Sequence, residues 1–196
     1  MLQDFLIVDD FLPDPDSIRK TFTELEFYDM RGPDGEMYKR INVRNPQEFN
    51  GLLAKAVGKP VVQDYSLVRL NYAGEPPNNA IHSDGGYSDF AAVLYMCKPE
   101  DCQGGTAFWR HKATNFTALP TEEQVRKVGK KPSQVWEKIS KSWNTPDAWQ
   151  RMGTAEMKFN RIIIYPTKNF HSRWPFEAFG STPQDGRLIW VSFFKV

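Results

Sequence analysis

Residues 81–97 read "IHSDGGYSDFAAVLYMC". His82 and Asp84 are both metal-capable and stand one residue apart. Gly85 and Gly86 follow, and then a β-rich run over 90–97. In extended backbone, side chains i and i+2 point to one face, so His82 and Asp84 can meet at one point. An imidazole with a carboxylate suits divalent iron. The competing reading is ordinary turn chemistry, with Asp84 closing an Asx-turn that the two glycines permit. An H-x-D alone does not choose between them. Tyr87 is read either as part of that turn or as the first residue of a substrate wall.

Outward from this stretch the chain alternates short strands with Gly/Pro/Asn/Asp turns. Strands are expected in "SLVRLNY" (66–72), "FAAVLYMC" (90–97), "GGTAFWRHK" (104–112), "RIIIYP" (161–166) and "RLIWVSFFKV" (187–196). That pattern favours a sandwich or barrel over a parallel sheet. Upstream, "FLIV" (5–8) reads as a strand. Asp14-Pro15 reads as an N-cap with proline at N1, ahead of Ile18, Phe22 and Leu25 at helical spacing. A second helix is expected after Asn45-Pro46, through "EFNGLLAKAV", ending near Gly58. Residues 120–152 break the strand pattern and read as two or three short helices, with Thr121, Ser133 and Thr145 as N-caps and Pro146 at N1. The organisation is one mainly β (α+β) domain over 1–196. An N-terminal strand and supporting helices occupy 1–61. A strand core occupies 62–196, with a helical insertion at about 113–153.

A third metal ligand must come from elsewhere, and the chain has three histidines: His82, His111 and His171. His111 is flanked by Arg110 and Lys112, which disfavour a nearby cation. His171 follows the buried-type strand of "RIIIYPTKNF" and is the better partner. Two histidines and one carboxylate on one face leave open coordination positions, as in non-haem iron(II) oxygenases. Arg187 opens an otherwise apolar strand, where alternation puts Arg187 and Ile189 on one face and Leu188 and Trp190 on the other. A guanidinium is costly to bury without an anion. It is read either as a bidentate clamp for a carboxylate or as an edge residue paired with Asp185 or reaching solvent.

In this order, "VRLNYAGE", "IHSDGGYSDFAAVLYMC", "GGTAFWRHK", "NRIIIYPTKNFHSRW" and "GRLIWVSFF" resemble the iron(II)/2-oxoglutarate-dependent dioxygenase superfamily, in its prolyl-hydroxylase-like branch. The resemblance spans roughly 66–196. It implies a double-stranded β-helix, a cupin-like jelly roll, with helices packed on one side. It also implies a metal triad of His82, Asp84 and His171, with Arg187 on the distal carboxylate of 2-oxoglutarate. Tyr95 matches a tyrosine that bonds the same carboxylate, Tyr72 one that lines the pocket, and Gly104-Gly105-Thr106 the turn before a core strand. The implied reactants are Fe(II), 2-oxoglutarate and O2, with ascorbate as an optional reductant. The implied reaction is hydroxylation of a peptide or protein side chain or of a small metabolite. The chain departs from the family in three places. Fifteen residues separate His171 from Arg187, which makes Arg173 a rival anion partner; the 113–153 insertion is an addition; and the loop after Asp84 carries "GGY". Trp174 is a further candidate for the site, and Asn169 and Ser172 are candidate supporting donors. The alternatives are a cupin-like metal enzyme that does not use 2-oxoglutarate and a non-enzymatic jelly-roll binding module.

The bulk numbers fit a soluble globular protein and argue against some partners. Net charge is +1 over 196 residues, so no global field favours nucleic acid or membrane. Residues 121–143 carry six Lys/Arg against three Glu, which reads as a solvated helical face. No apolar run is long enough for a membrane span, and "MLQDFLIVDDF" lacks the basic start of a signal peptide. Cys97 and Cys102 read as reduced thiols in a cytoplasmic protein. The oligomeric state is not legible.

Overall fold

The computed structural model describes residues 5–32, 35–75, 80–86 and 88–196. Among the described residues, ten strands form two antiparallel sheets. They are β1 (Leu6–Val8), β2 (Tyr28–Arg31), β3 (Met37–Val43), β4 (Val62–Asn71), β5 (Phe90–Tyr95), β6 (Gly105–His111), β7 (Trp149–Glu156), β8 (Ile162–Pro166), β9 (His171–Trp174) and β10 (Arg187–Lys195). The larger sheet has the order β1-β8-β5-β10-β4-β3-β2 and the smaller β7-β6-β9. Facing one another, they form the expected double-stranded β-helix.

Period-two alternation sorts the strand residues into layers. Leu188 and Trp190 of β10, Ile162 and Ile164 of β8, and Val68 and Leu70 of β4 face outward onto helices α1 (Pro15–Thr23) and α2 (Asn50–Val57), where Phe22 and Leu53 are buried. The intervening residues Ile189, Ile163, Tyr165, Val93 and Tyr95 face inward, against Phe108 and Ala155 of the smaller sheet. The run "RIIIYP" is nearly all apolar because both faces of β8 are covered. On the far side, Ala107, Trp109 and Trp149 meet Val125, Val135 and Ile139 of α3 (Glu122–Lys127) and α4 (Pro132–Ser140). Helices therefore flank both sheets, one pair on each side.

Local chemistry accounts for the helix ends. The Asp14 carboxylate accepts from the Ser17 N–H, with Pro15 in the first turn. Thr121 and Gln124 form a reciprocal capping box. Gly58 ends α2 at φ +71°. Two cap expectations are corrected. Ser133 lies inside α4, whose N-cap is Lys131 with Pro132 following. Thr145 precedes only a 3₁₀ turn, Pro146–Ala148, and makes no side-chain cap bond.

The insertion is also smaller than read from the sequence: its α-helices end at Ser140, and from Trp149 the chain is strand β7, part of the core. The helix after Asn45-Pro46 begins only at Asn50. Strands β2, β3, β7 and β9 were not anticipated. Both cysteines are free thiols, Cys97 buried. Among the described residues, no helix is long and apolar enough to cross a membrane.

Gly104 and Gly105 bring three strands close together. A Cβ on Gly104, at φ +63°, would lie 1.9 Å from the Trp174 carbonyl oxygen, and one on Gly105 would lie 2.0 Å from that of Ala155. Only glycine lets β6 begin between β7 and β9 there. This seats β9, and with it His171, against β6, where Phe108 registers opposite His171.

Candidate metal centre

His82 and His171 form an isolated antiparallel bridge. The His82 N–H donates to the His171 carbonyl at 3.0 Å, and the His171 N–H donates back at 2.9 Å. Asp84 is placed by its own N–H, which donates to the Thr167 carbonyl at 2.9 Å. The Ser83 hydroxyl donates to that carbonyl too, at 3.1 Å. The convergence of His82 and Asp84 thus has a different origin from the strand alternation expected of them. A single bridge and a clamped turn bring them together. His171, expected at the end of the preceding strand's loop, is itself the first residue of β9.

The side chains converge. His82 Nε2 lies 3.4 Å from Asp84 Oδ1, His171 Nε2 lies 3.1 Å from Asp84 Oδ2, and the three ligand atoms are all within 4.8 Å of one another. His171 Nδ1 lies 2.9 Å from the Asn169 carbonyl oxygen. That oxygen can only accept, so Nδ1 carries a proton and Nε2 is the ring atom turned to Asp84. Asn169 acts here through its backbone carbonyl, an acceptor, where a donor was expected. Ser172 instead accepts from the Trp109 indole at 2.9 Å on the opposite face of β9. Trp174 shares that outer face, with its ring against Trp109 and Phe176.

Burial acts to raise the Asp84 carboxyl, yet the two imidazoles outweigh it and hold it well below the usual carboxylate range. Burial also opposes a charged His171, and the Asp84 carboxylate reverses that, raising the imidazole above its ordinary value. His111 is elsewhere. Its ring is buried, 2.8 Å from the Thr114 hydroxyl and 3.2 Å from that of Ser142, and is fully used in structure.

The Tyr165 ring lies 4.8 Å from that of His171 and connects the triad to the interior. Farther along the same inner face is Arg187, 5% exposed. Its Nη1 donates to Asn71 Oδ1 at 3.4 Å, and its Nε has no partner among the described residues. Asp185 does not pair with it; that carboxylate caps Ser181 and Thr182. Burial lowers the Arg187 pKa, and the neighbouring Tyr95 works against that shift. Tyr95 is fully buried, its hydroxyl 2.7 Å from that of Thr106, and burial pushes it up to about 12.

Tyr72 is not brought to this group. It follows β4 on the parity of Val68 and Leu70, so its ring joins the outward, helix-facing cluster, beneath the Arg40 guanidinium and against Gly186. Asn71 takes the inward position.

The sequence reading missed Arg69, which shares the inward face of β4 with Asn71, and missed Thr106 and Tyr165. Arg69 and Asn71 stand two apart in "VRLNY", and the alternation that singled out Arg187 also points to them. Arg173, the rival anion partner, also points inward, opposite Thr106 in register. Burial lowers both arginines, Arg69 to about 10 and Arg173 to about 9, and the charge of Arg187 adds to each shift. Tyr87 lies outside the described residues.

A family model described as "Family of unknown function (DUF6445)" matches residues 2–194. No curated protein matches the chain. Among solved structures, the chain is similar to AviO1 from Streptomyces viridochromogenes Tue57, at 14% identity and a TM-score of 0.57, covering 97% of this chain and 88% of that one. It is also similar to SnoN, a non-haem alpha-ketoglutarate-dependent epimerase from nogalamycin biosynthesis, at 13% identity and 0.55, covering 97% and 75%. A third is the viral collagen prolyl hydroxylase of Paramecium Bursaria Chlorella virus-1, at 11% identity and 0.52, covering 97% and 88%. At these identities the likeness is one of fold, and the fold is that of the iron(II)/2-oxoglutarate oxygenases.

Proposed function

The chain belongs to the DUF6445 family, and from its site we propose that it is a non-haem iron(II)- and 2-oxoglutarate-dependent dioxygenase, acting as a hydroxylase. One observation carries this reading. A His/Asp/His cluster and a buried arginine with an unpartnered Nε share the interior of one jelly roll. Two imidazoles and one carboxylate fit iron(II) and leave positions for other ligands. A buried guanidinium lacking a carboxylate partner fits the far end of a dicarboxylic acid.

In this reading His82, Asp84 and His171 hold the metal. Bound there, iron supplies the redox chemistry of O2 and 2-oxoglutarate, and the protein supplies position and surroundings. The Asn169 carbonyl fixes the His171 tautomer and aims Nε2 at the metal position. The imidazoles keep Asp84 ionised, ready as an anionic ligand. Arg187 takes the distal carboxylate, with the Tyr95 and Thr106 hydroxyls beside it. Phe108, Ile163 and Ile189 line the interior and exclude water. The free thiols agree with a reducing compartment such as the cytoplasm.

Replacing His82 or His171 with Ala should abolish Fe(II) binding, and with it 2-oxoglutarate-dependent succinate release measured with Fe(II), O2 and ascorbate. A purified variant retaining both would overturn the triad assignment. Iron binding by the wild-type protein with no effect of 2-oxoglutarate would favour a cupin-like enzyme of another type.

A further inference from the structure

Arg187 is not the only cation at the inner end of the site. In register, Arg187 stands opposite Asn71, and Ile189 stands opposite Arg69, so Arg69 and Arg187 lie on one face of adjacent strands. Arg173 enters from the smaller sheet. Its partner in register is Thr106, whose hydroxyl meets Tyr95 inside the barrel. Arg187 repels both other arginines, and Arg69 and Arg173 repel each other.

The nearby acids do not pair with Arg69 or Arg173. The Glu75 carboxylate forms an ion pair with Arg40 and accepts from the Tyr72 N–H at 2.6 Å and from the Asn71 amide at 3.3 Å. Asp84 is held between the two histidines and reaches Arg69 only as a through-space attraction. Glu177 likewise acts on Arg173 through space.

What the two arginines do contact is neutral. Arg173 donates to the carbonyls of Phe176 and Glu75. Arg69 lies over the Tyr38 ring at 5.0 Å, and its Nε has no hydrogen-bond partner among the described residues. Three guanidinium groups facing one interior, with no carboxylate among the described residues paired to any of them, are unfavourable until anions arrive. The distal carboxylate of one 2-oxoglutarate answers only one of them.

We propose that Arg69 and Arg173 form a second oxyanion subsite beside the co-substrate pocket, and that the substrate is a small anionic metabolite whose carboxylate or phosphate they hold. This rests on the oxygenase reading above. Arg69 and Arg173 are each half-buried, whereas Arg187 is only 5% exposed. Arg173 stands two residues along β9 from His171 on the same inward face, which sets the subsite beside the triad, where a bound anion would orient the rest of the substrate.

The test uses the full chain loaded with Mn(II) and saturating 2-oxoglutarate, with inorganic phosphate and acetate as separate probes. Paramagnetic relaxation is read on the phosphate ³¹P and on the acetate methyl protons, and 2-oxoglutarate affinity by calorimetry. We expect one probe or both to relax at the site. Arg69→Gln and Arg173→Gln should each weaken that binding by about tenfold, the loss of one charge-assisted contact, with 2-oxoglutarate affinity unchanged. Arg69→Lys and Arg173→Lys, which keep the charge, should restore part of it and control for folding. Arg187→Gln should instead weaken 2-oxoglutarate. The stronger probe identifies the substrate's anionic group. Absent relaxation, or relaxation that survives both glutamine variants while 2-oxoglutarate still binds, overturns the subsite and leaves the oxygenase reading intact. A loss of 2-oxoglutarate affinity in Arg69→Gln or Arg173→Gln also overturns it, by assigning that arginine to the co-substrate. A wild-type protein that binds no 2-oxoglutarate removes the oxygenase reading and the subsite together.

Discussion

Asp9 shows how one charge secures the edge of the larger sheet. It follows β1 directly, and its carboxylate accepts from Arg161 Nε at 2.6 Å and from Lys158 Nζ at 2.9 Å, tying the N-terminal strand to the turn before β8. These two cations hold its carboxyl well below the usual carboxylate range. A depressed carboxylate stabilises the fold above its unfolded pKa, and that stability is lost as pH falls through the folded value. Asp9→Asn should therefore lower Tm by about 2 °C at neutral pH, a small effect because the pair is partly solvated. The difference from wild type should shrink steadily below pH about 4. A difference that stays constant down to acid unfolding would contradict this.

At the same scale, His82 and His171 were legible because histidine is scarce in this chain, and Asp84 because it stands one residue from His82. Arg187 was legible because a charge inside an apolar strand is costly. Tyr72 was misassigned by one position. Alternation along β4 turns Asn71 inward and Tyr72 outward, and the resemblance carried the tyrosine to a face the strand does not offer it.

Strands whose two faces differ, or are both covered, were readable from their residues. β5, β8 and β10 carry apolar runs and bury nearly every residue. The strands that were missed lack that signal. β9 has four residues, and its bridge to His82 is a contact between residues 89 positions apart, which local pattern cannot show. β7 follows a Pro-Asp-Ala turn that resembles a helix start, and most of its residues are exposed or half-buried. β2 and β3 are mostly polar and half-exposed.

The glycine pair before β6 was legible only through the resemblance, yet it determines how closely the smaller sheet's strands can approach. Gly104→Ala would drive a methyl into the Trp174 carbonyl at a left-handed φ. It should cost about 3 kcal/mol or more in chemical denaturation. A cost under about 1 kcal/mol would mean that β9 can shift freely against β6.

Across the whole molecule, two packed helix pairs leave the barrel interior to the chemistry. α3 and α4 spend their apolar faces on Trp109 and Trp149, on the outer side of the smaller sheet. The helical part of the insertion therefore supports the sheet that carries His171. The stretch before those helices does reach the metal side: the Leu119 side chain is a neighbour of Gly85, one residue past Asp84. Interior charge follows the same division. Arg187 lies at the β4–β10 end and the metal-capable group sits across Tyr165 from it, an arrangement that suits a ligand with an acid at one end and a chelating group at the other.

That pairing of a metal triad with an anion-binding arginine is the central claim. It is tested most directly by anaerobic titration of the protein with Fe(II) and then 2-oxoglutarate, followed by visible absorption. One Fe(II) per chain is expected, with a weak visible charge-transfer band that appears only on adding 2-oxoglutarate and saturates at one equivalent. The band should be absent from His171→Ala and should need far more 2-oxoglutarate in Arg187→Gln. Iron that binds without any spectral response to 2-oxoglutarate, or a band that persists in His171→Ala, would contradict it.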